Sequence, residues 1–224
     1  MWRGDRFTPS PSRLNGVGYN TTDNTAGDAA FIFGASFSSM AVDGVIPFKD
    51  IVCPEGFEDD DQIQTPYTDE EGFTQLRNYY YFGEWLDENY DSVADTDGVE
   101  LGKSAWFVTG SAKTITTAGE VKKGIFIHTF TETADMVTSA FPIPFCPNSE
   151  NVSWGVSDDT QIQTAYTDDS GFTQLRNYYY FGEWLDENYD SLAADDAVVG
   201  PGVGFWFLIG DATETFTEVS PLAE

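Results

Sequence analysis

An all-β chain made of two tandem repeated units is what this sequence predicts, and three observations carry that expectation. The segment from Gln62 to Ser92 returns at Gln161 to Ser191 with 28 of 31 positions identical at a constant offset of 99, and self-similarity at a fixed period marks a repeated structural unit. Aromatic residues make up 16% of the chain, a surplus that suits pleated, half-buried surfaces. The 21 Gly and 10 Pro are scattered singly, as turns between many short strands require. The expected architecture is two antiparallel β-sandwich or barrel-like modules, residues 27–123 and 124–224, related by approximate two-fold symmetry and preceded by an extended N-terminal arm over residues 1–26.

The arm is broken by Pro9, Pro11, Gly16 and Gly18, which interrupt any regular element. From Met1 to Thr22 its side chains carry Arg3, Arg6 and Arg13 against Asp5, a charge of +2 that leaves -30 for the rest of the chain. A basic arm on an acidic body favours electrostatic docking, either onto its own body or onto a neighbour's. Trp2 and Phe7 would anchor it on a neighbouring subunit as an added strand, with Arg3, Arg6 and Arg13 meeting the acidic face.

The whole chain carries 38 acidic and 10 basic residues, a formal net charge of -28. Such a surface repels phosphate backbones and anionic lipid, which argues against nucleic-acid partners. No apolar run approaches the roughly 20 residues of a spanning helix, so membrane insertion is not expected. The N-terminal stretch lacks the apolar centre of a secretory signal, so the expectations are release by lysis, packaging into a particle, or cytoplasmic residence.

Along the chain, Ala29 to Phe37 and Gly124 to Phe130 are short apolar runs with aromatic and β-branched residues, expected to be counterpart buried strands. Ile-Pro-Phe triplets at 46–48 and 143–145 belong at an edge or a strand entry, because proline cannot donate to a ladder. Inside the repeated block, Asp61 to Thr65 alternates polar and apolar, Gly72 and its counterpart Gly171 supply a turn with positive φ, and Thr74 to Phe82 returns as a hairpin strand. Tyr79 and Tyr81 should face one way, Tyr80 and Phe82 the other. Each unit then passes an acidic loop at 87–92 or 186–191, closes with an apolar strand, and ends in Glu-Val, at 120–121 and 218–219. The joint at Lys122-Lys123-Gly124 is too short to be a free linker.

The Gln-Ile-Gln-Thr segment, the Tyr-x-Tyr and Trp-x-Asp elements, and the closing Gly-x-Gly-Phe-Trp strand followed by Glu-Val resemble tandem β-modules of bacterial surface proteins. The first unit departs from that pattern, with Ser104-Ala105-Trp106 where Gly-Phe-Trp would stand. The resemblance covers both units but not the arm, and it implies a non-enzymatic, exterior β-protein.

Asp87, Asn89 and Asp91, and again Asp186, Asn188 and Asp190, place oxygens at alternate residues as a calcium loop does. The EF-hand pattern fails, because Ser92 or Ser191 stands at its glycine and Gly98 or Ala197 at its last glutamate. A non-EF calcium site or a solvated turn are the remaining readings. Trp85 with Tyr90, and Trp184 with Tyr189, could stack on sugar rings beside these loops, with core or subunit interface the default for aromatics at strand ends. Paired carboxylates for glycoside hydrolysis need two unlike environments, which duplicated surface loops do not suggest. His128 is the sole histidine and no nucleophile motif accompanies it, so a structural role is expected. Cys53 and Cys146 could meet as a disulfide, with buried free thiols the default.

The sequence therefore points to a structural subunit without enzymatic activity, part of a virion surface or an extracellular filament. Its partners would be copies of itself or another shell or filament protein. The alternative is a carbohydrate-binding or adhesin module whose duplicated loops bind glycan, with calcium as the one cofactor to consider.

Overall fold

The computed structural model describes residues 16–23, 30–35, 44–111, 113–131, 133–168, 170, 173–210 and 213–220. Among them are seventeen strands and one 3-10 turn, Phe48–Asp50, and no α-helix. The first nine strands are β1 Gly16–Asp23, β2 Ala30–Gly34, β3 Val45–Pro47, β4 Gln62–Thr68, β5 Thr74–Tyr81, β6 Trp85–Leu86, β7 Gly98–Glu100, β8 Ser104–Val108 and β9 Thr114–Val121. The remaining eight are β10 Ile125–Phe130, β11 Ala134–Val137, β12 Val152–Gly155, β13 Gln161–Thr167, β14 Thr173–Tyr180, β15 Trp184–Leu185, β16 Phe205–Leu208 and β17 Glu214–Val219.

Among the described residues all pairings are antiparallel, and the sheets are open rather than closed into barrels. A five-stranded sheet of order β2-β8-β4-β5-β6 has its counterpart in one of order β11-β16-β13-β14-β15. Smaller sheets accompany them: β1-β9 and β3-β7 in the first half, β10-β17-β12 in the second. Core side chains come from both layers of each half. Ile63 and Phe107 of the large sheet meet Ile46, Val99, Ile115 and Val121 in one cluster. Ile162, Phe205 and Phe207 meet Phe130 and Phe216 in the other. Full burial of each Phe or Ile side chain is worth about 1.5–3 kcal/mol.

The pairing revises two sequence expectations. Strand β1 lies inside the stretch expected to be an extended arm, yet it pairs with β9 along its whole length, from Gly16 opposite Val121 to Asp23 opposite Thr114. A strand rich in Gly, Asn and Thr has low propensity, but its ladder bonds are main-chain and need no large side chains. Strand β10 pairs with β17 as β1 does with β9, and β11 pairs with β16 as β2 does with β8. The counterpart of β10 is therefore β1, and the Ala29–Phe37 run corresponds to β11. The rest of the arm, with Trp2, Arg3, Arg6, Phe7 and Arg13, lies outside the described residues.

The shared Glu-Val is also out of phase. Glu218 is buried and Val219 exposed, whereas Val121 is buried and Glu120 half-buried. The letters coincide while the inward-facing positions differ by one.

The two halves are joined by main-chain and side-chain contacts. Gly34 N–H donates to Gly202 O (2.7 Å), and Thr138 N–H donates to Gly102 O (3.0 Å). Ser104 Oγ donates to Val137 O and Thr138 Oγ1 to Val203 O, each at 3.0 Å. Thr74 Oγ1, at the hairpin end of β5, donates to Ala134 O of β11. The joint itself is short: β9 ends at Val121, Gly124 takes φ +86, and β10 begins at Ile125.

Candidate functional site

The repeated hairpins superpose their chemistry residue for residue. In the first, Gln62 to Thr68 pairs with Tyr80 to Thr74, and in the second Gln161 to Thr167 pairs with Tyr179 to Thr173. The first turn closes on Asp69, whose Oδ1 accepts from Phe73 N–H and whose Oδ2 accepts from Gln75 Nε2. Gly72 takes φ +87 there, which a residue with a Cβ adopts only at a cost; its counterpart Gly171 lies outside the described residues. In the second turn Asp168 Oδ2 accepts from Gln174 Nε2 as Asp69 does from Gln75, while its Oδ1 accepts from the nearer Ser170 N–H. Arg77 lies over the Tyr67 ring and Arg176 over the Tyr166 ring, both at 4.9 Å.

Alternation along β5 separates its aromatics as the sequence suggests. Tyr79 and Tyr81 pack into the core against Phe48, Phe57 and Trp85. Tyr80 and Phe82 project from the opposite face. On that outer face Gln64 Nε2 donates to Asn78 Oδ1 at 2.7 Å, and Gln163 Nε2 donates to Asn177 Oδ1 at 2.8 Å. Half-buried Trp106 stands opposite Gln64 on the next strand, as Trp206 stands opposite Gln163.

Trp85 and Trp184 do not belong to the surface loop in which the sequence places them. They are 5% and 0% exposed, because the two-residue strands β6 and β15 pair Trp85 with Tyr81 and Trp184 with Tyr180 on the inner face. The exposed ring of each loop is Tyr90 or Tyr189, at 62% and 61%. Tyr90 stacks on Tyr80 (5.7 Å, 14°) and tilts against Phe82 (6.0 Å). Tyr189 repeats this with Tyr179 (5.4 Å, 13°) and Phe181 (6.3 Å). Both tyrosines hold φ +63, a left-handed backbone that costs a residue with a Cβ on the order of 1 kcal/mol or more.

The acidic loops spend their oxygens on themselves. Asp87 Oδ1 accepts from Asn89 N–H (2.8 Å) and Asp91 N–H (2.9 Å), and Asp186 does the same for Asn188 and Asp190. The Asp91 amide first, then that of Asn89, holds the Asp87 carboxyl below its ordinary value. This is the solvated-turn geometry. The calcium reading of Asp87, Asn89, Asp91, Asp186, Asn188 and Asp190 would require those oxygens to face a cation instead. Among the described residues no group of three or more His, Cys, Asp or Glu side chains is placed to hold a metal ion.

Among the described residues three carboxylates are buried. Asp61, the last of the acidic run 58–61, accepts from Glu58 N–H (2.8 Å) and lies 3.9 Å from buried Lys113. Burial raises its carboxyl above the usual range, against the lowering effect of those partners. In the second half Thr160 stands where Asp61 does, and the carboxylate comes from the start of β17. Glu214 accepts from Thr160 Oγ1, from Ser157 N–H and Oγ, and from Gly210 N–H. The third, Glu218, accepts from Ser139 Oγ (2.6 Å) and Ala140 N–H (2.9 Å) and bonds His128 Nε2 at 2.8 Å. Burial pushes the His128 pKa down, opposed by Glu218. Here the serine hydroxyl bonds the carboxylate rather than the imidazole, so the trio lacks the serine–histidine bond of an activated nucleophile.

An open cleft of about 490 Å³ lies between the halves, lined in part by Tyr67, Thr68, Glu100, Lys103, Ala134 and Asp135. Lys103 is paired with Asp135 and lies 5.6 Å over the Phe130 ring, so its charge is committed. Cys53 and Cys146 are free thiols, half-buried, and burial raises both.

Sequence reasoning missed Gln64, Asn78, Tyr80 and Phe82 with Gln163, Asn177, Tyr179 and Phe181 as one surface with Tyr90 and Tyr189. The period-2 alternation of the hairpin was the signal that could have found them. A scan against protein-family models gives no match, and searches of the curated proteins and of the solved structures give none either. No helix among the described residues is long and apolar enough to cross a membrane.

Proposed function

We propose that this chain is a non-enzymatic structural subunit of an exterior assembly, a virion surface or decoration protein or an extracellular filament protein, in which neighbours join through the basic N-terminal arm and exposed β-surface. The observation that carries this reading is strand β10. It is an edge of the β10-β17-β12 sheet, and its sequence Ile-Phe-Ile-His-Thr-Phe has no lysine, carboxylate or proline. Ile125 and Ile127 are 67% and 61% exposed, beside the exposed Val219 opposite Ile125. Folded monomers blunt such edges, and an unblunted apolar edge is an association surface.

The arm supplies what the edge accepts, with Trp2 and Phe7 for the isoleucines and three arginines for a body of charge -30. Two modules in approximate two-fold relation complete the reading. It is supported by the reciprocal Gly34–Gly202 and Thr138–Gly102 bonds, since positions that match in the two halves exchange the same contact.

Size-exclusion chromatography with light scattering tests the proposal on the full chain, on residues 16–224, and on Ile127→Lys. The full chain should associate in a salt-sensitive manner and both variants should be monomeric. A full chain that stays monomeric, or a truncated chain that still assembles at physiological salt, would refute it.

A further inference from the structure

We infer that the outer faces of the two large sheets are twin binding sites for a neutral saccharide chain, built in the first half from Gln64, Asn78, Tyr80, Phe82 and Tyr90 and in the second from Gln163, Asn177, Tyr179, Phe181 and Tyr189. This site is independent of the arm and of β10.

Three features of the face point to a ligand. The first is strain. A tyrosine is held at φ +63 in both halves, directly after an asparagine that would tolerate that conformation better. Backbone strain of this kind persists where the surrounding structure imposes it, and it clusters at ligand contacts. The second is order without burial. Each strained ring is more than 60% exposed yet fixed by two neighbouring rings. Its conformational freedom is therefore already lost, and a ligand binding to it loses less on association. The third is the amide pair. The Gln64–Asn78 bond uses one carbonyl and one amide N–H, which leaves a free donor group and a free acceptor group side by side. Asn78 and Tyr80 are two residues apart on one strand, about 7 Å. Ring cluster and amide pair thus form one continuous surface.

The chemistry of the occupant follows. A pyranose ring has an apolar C–H face and an edge of hydroxyls that both donate and accept, which matches rings beside a paired amide. An anionic glycan, a nucleic acid or a phosphorylated lipid would meet Glu84, Asp87, Glu88 and Asp91 around Tyr90 on a chain of net charge -28. A second copy of the same face would bring the same carboxylates against them. A neutral saccharide carries neither penalty. Because the face occurs twice, a polysaccharide long enough to reach both sites gains avidity.

Native-gel affinity electrophoresis tests this on the full chain, with β-glucan, galactomannan, arabinoxylan or hydroxyethyl cellulose in the gel and heparin as the anionic comparison. Mobility is read relative to a gel without polysaccharide, so the oligomeric state cancels. The chain should be retarded by at least one neutral polysaccharide and not by heparin. Retardation should be lost in Tyr90→Asn/Tyr189→Asn, where asparagine suits the positive φ, and in the independent variant Gln64→Leu/Gln163→Leu. Either single tyrosine variant should bind about tenfold or more weakly. Absence of retardation in every neutral gel, retardation by heparin alone, or unchanged retardation in both double variants would overturn the inference. None of these outcomes depends on whether residues 1–15 drive assembly.

Discussion

Gly34 sits where the two halves press together, and adding one methyl group there is the most direct probe of their contact. A Cβ built on Gly34 would lie 2.3 Å from both Cβ and Oγ1 of Thr138 and 2.6 Å from its Cγ2. Thr138 is buried and donates to Val203 O, so it cannot retreat without losing that bond. Overpacking costs roughly 1–3 kcal/mol and the displaced hydrogen bond about 1 kcal/mol. Restriction of the unfolded chain by Gly→Ala returns roughly 0.4–1 kcal/mol. The expected net destabilisation of Gly34→Ala is about 2–3 kcal/mol, and at roughly 2–4 °C per kcal/mol for a chain of this size the melting temperature should fall by about 4–12 °C. Urea and thermal unfolding of Gly34→Ala, Thr138→Gly and the double variant form a cycle. Removing Thr138 makes room for the methyl group, so the double variant should recover at least about 1 kcal/mol relative to the sum of the singles. Gly34→Ala within about 0.5 kcal/mol of the parent, or a strictly additive cycle, would refute the contact.

Other outcomes follow from the same geometry. Phe216, fully buried among Phe130, Phe145 and Trp154, should cost about 3–5 kcal/mol as Phe216→Ala in chemical denaturation. Asp69, Asp87 and Asp186 have lowered carboxyl pKa values, so the stability they add is present above the unfolded value and lost as pH falls through the folded one. A pH titration of the melting temperature should show a shallower acid loss in Asp87→Asn/Asp186→Asn than in the parent. Asp61 acts the other way: its raised value means that protonation on acidification relieves an unfavourable burial, and Asp61→Asn should flatten that gain. His128 has a lowered pKa, so below about 6.5 the unfolded chain takes up a proton that the folded chain refuses, and stability falls with pH. His128→Gln should weaken the dependence between pH 7 and 5.5, as followed by melting temperature.

Much of this fold is legible in local pattern. Strand and turn assignments in the repeated block follow from alternation and from Gly72, and the two faces of Thr74 to Phe82 follow from parity alone. What failed did so where the deciding partner is far away. Strand β1 reads as part of an extended arm because Gly16, Gly18 and Asn20 have poor strand propensity, and its pairing with β9, about a hundred residues later, makes it a strand of the body. Trp85 precedes an acidic loop and reads as part of it, while two ladder positions on β5 turn it inward. Asp61 reads as the end of a solvated acidic run until Lys113 is placed beside it. Of the candidate site, Tyr90 and Tyr189 were visible as loop aromatics; their grouping with Gln64, Asn78 and Tyr80 needed the register.

The relocated carboxylate has a consequence for how the chain avoids confusing its own halves. Two hairpins with 28 of 31 residues in common could dock in each other's places during folding, a characteristic failure of repeat proteins. Asp61 and Thr160 lie immediately before the shared block, and their partners Lys113 and Glu214 lie just before β9 and at the start of β17. A misplaced first hairpin would bury Asp61 against Glu214, acid upon acid. A misplaced second hairpin would leave Lys113 buried with a threonine in place of a carboxylate. The first error buries two carboxylates together, which costs several kcal/mol, and the second removes one of the two carboxylates beside Lys113 and leaves Glu58 at 3.2 Å. The charges act as a lock and key that the shared text does not supply, and Asp61→Thr/Lys113→Glu, which gives both halves the same key, should refold with a larger misassembled fraction on size-exclusion chromatography.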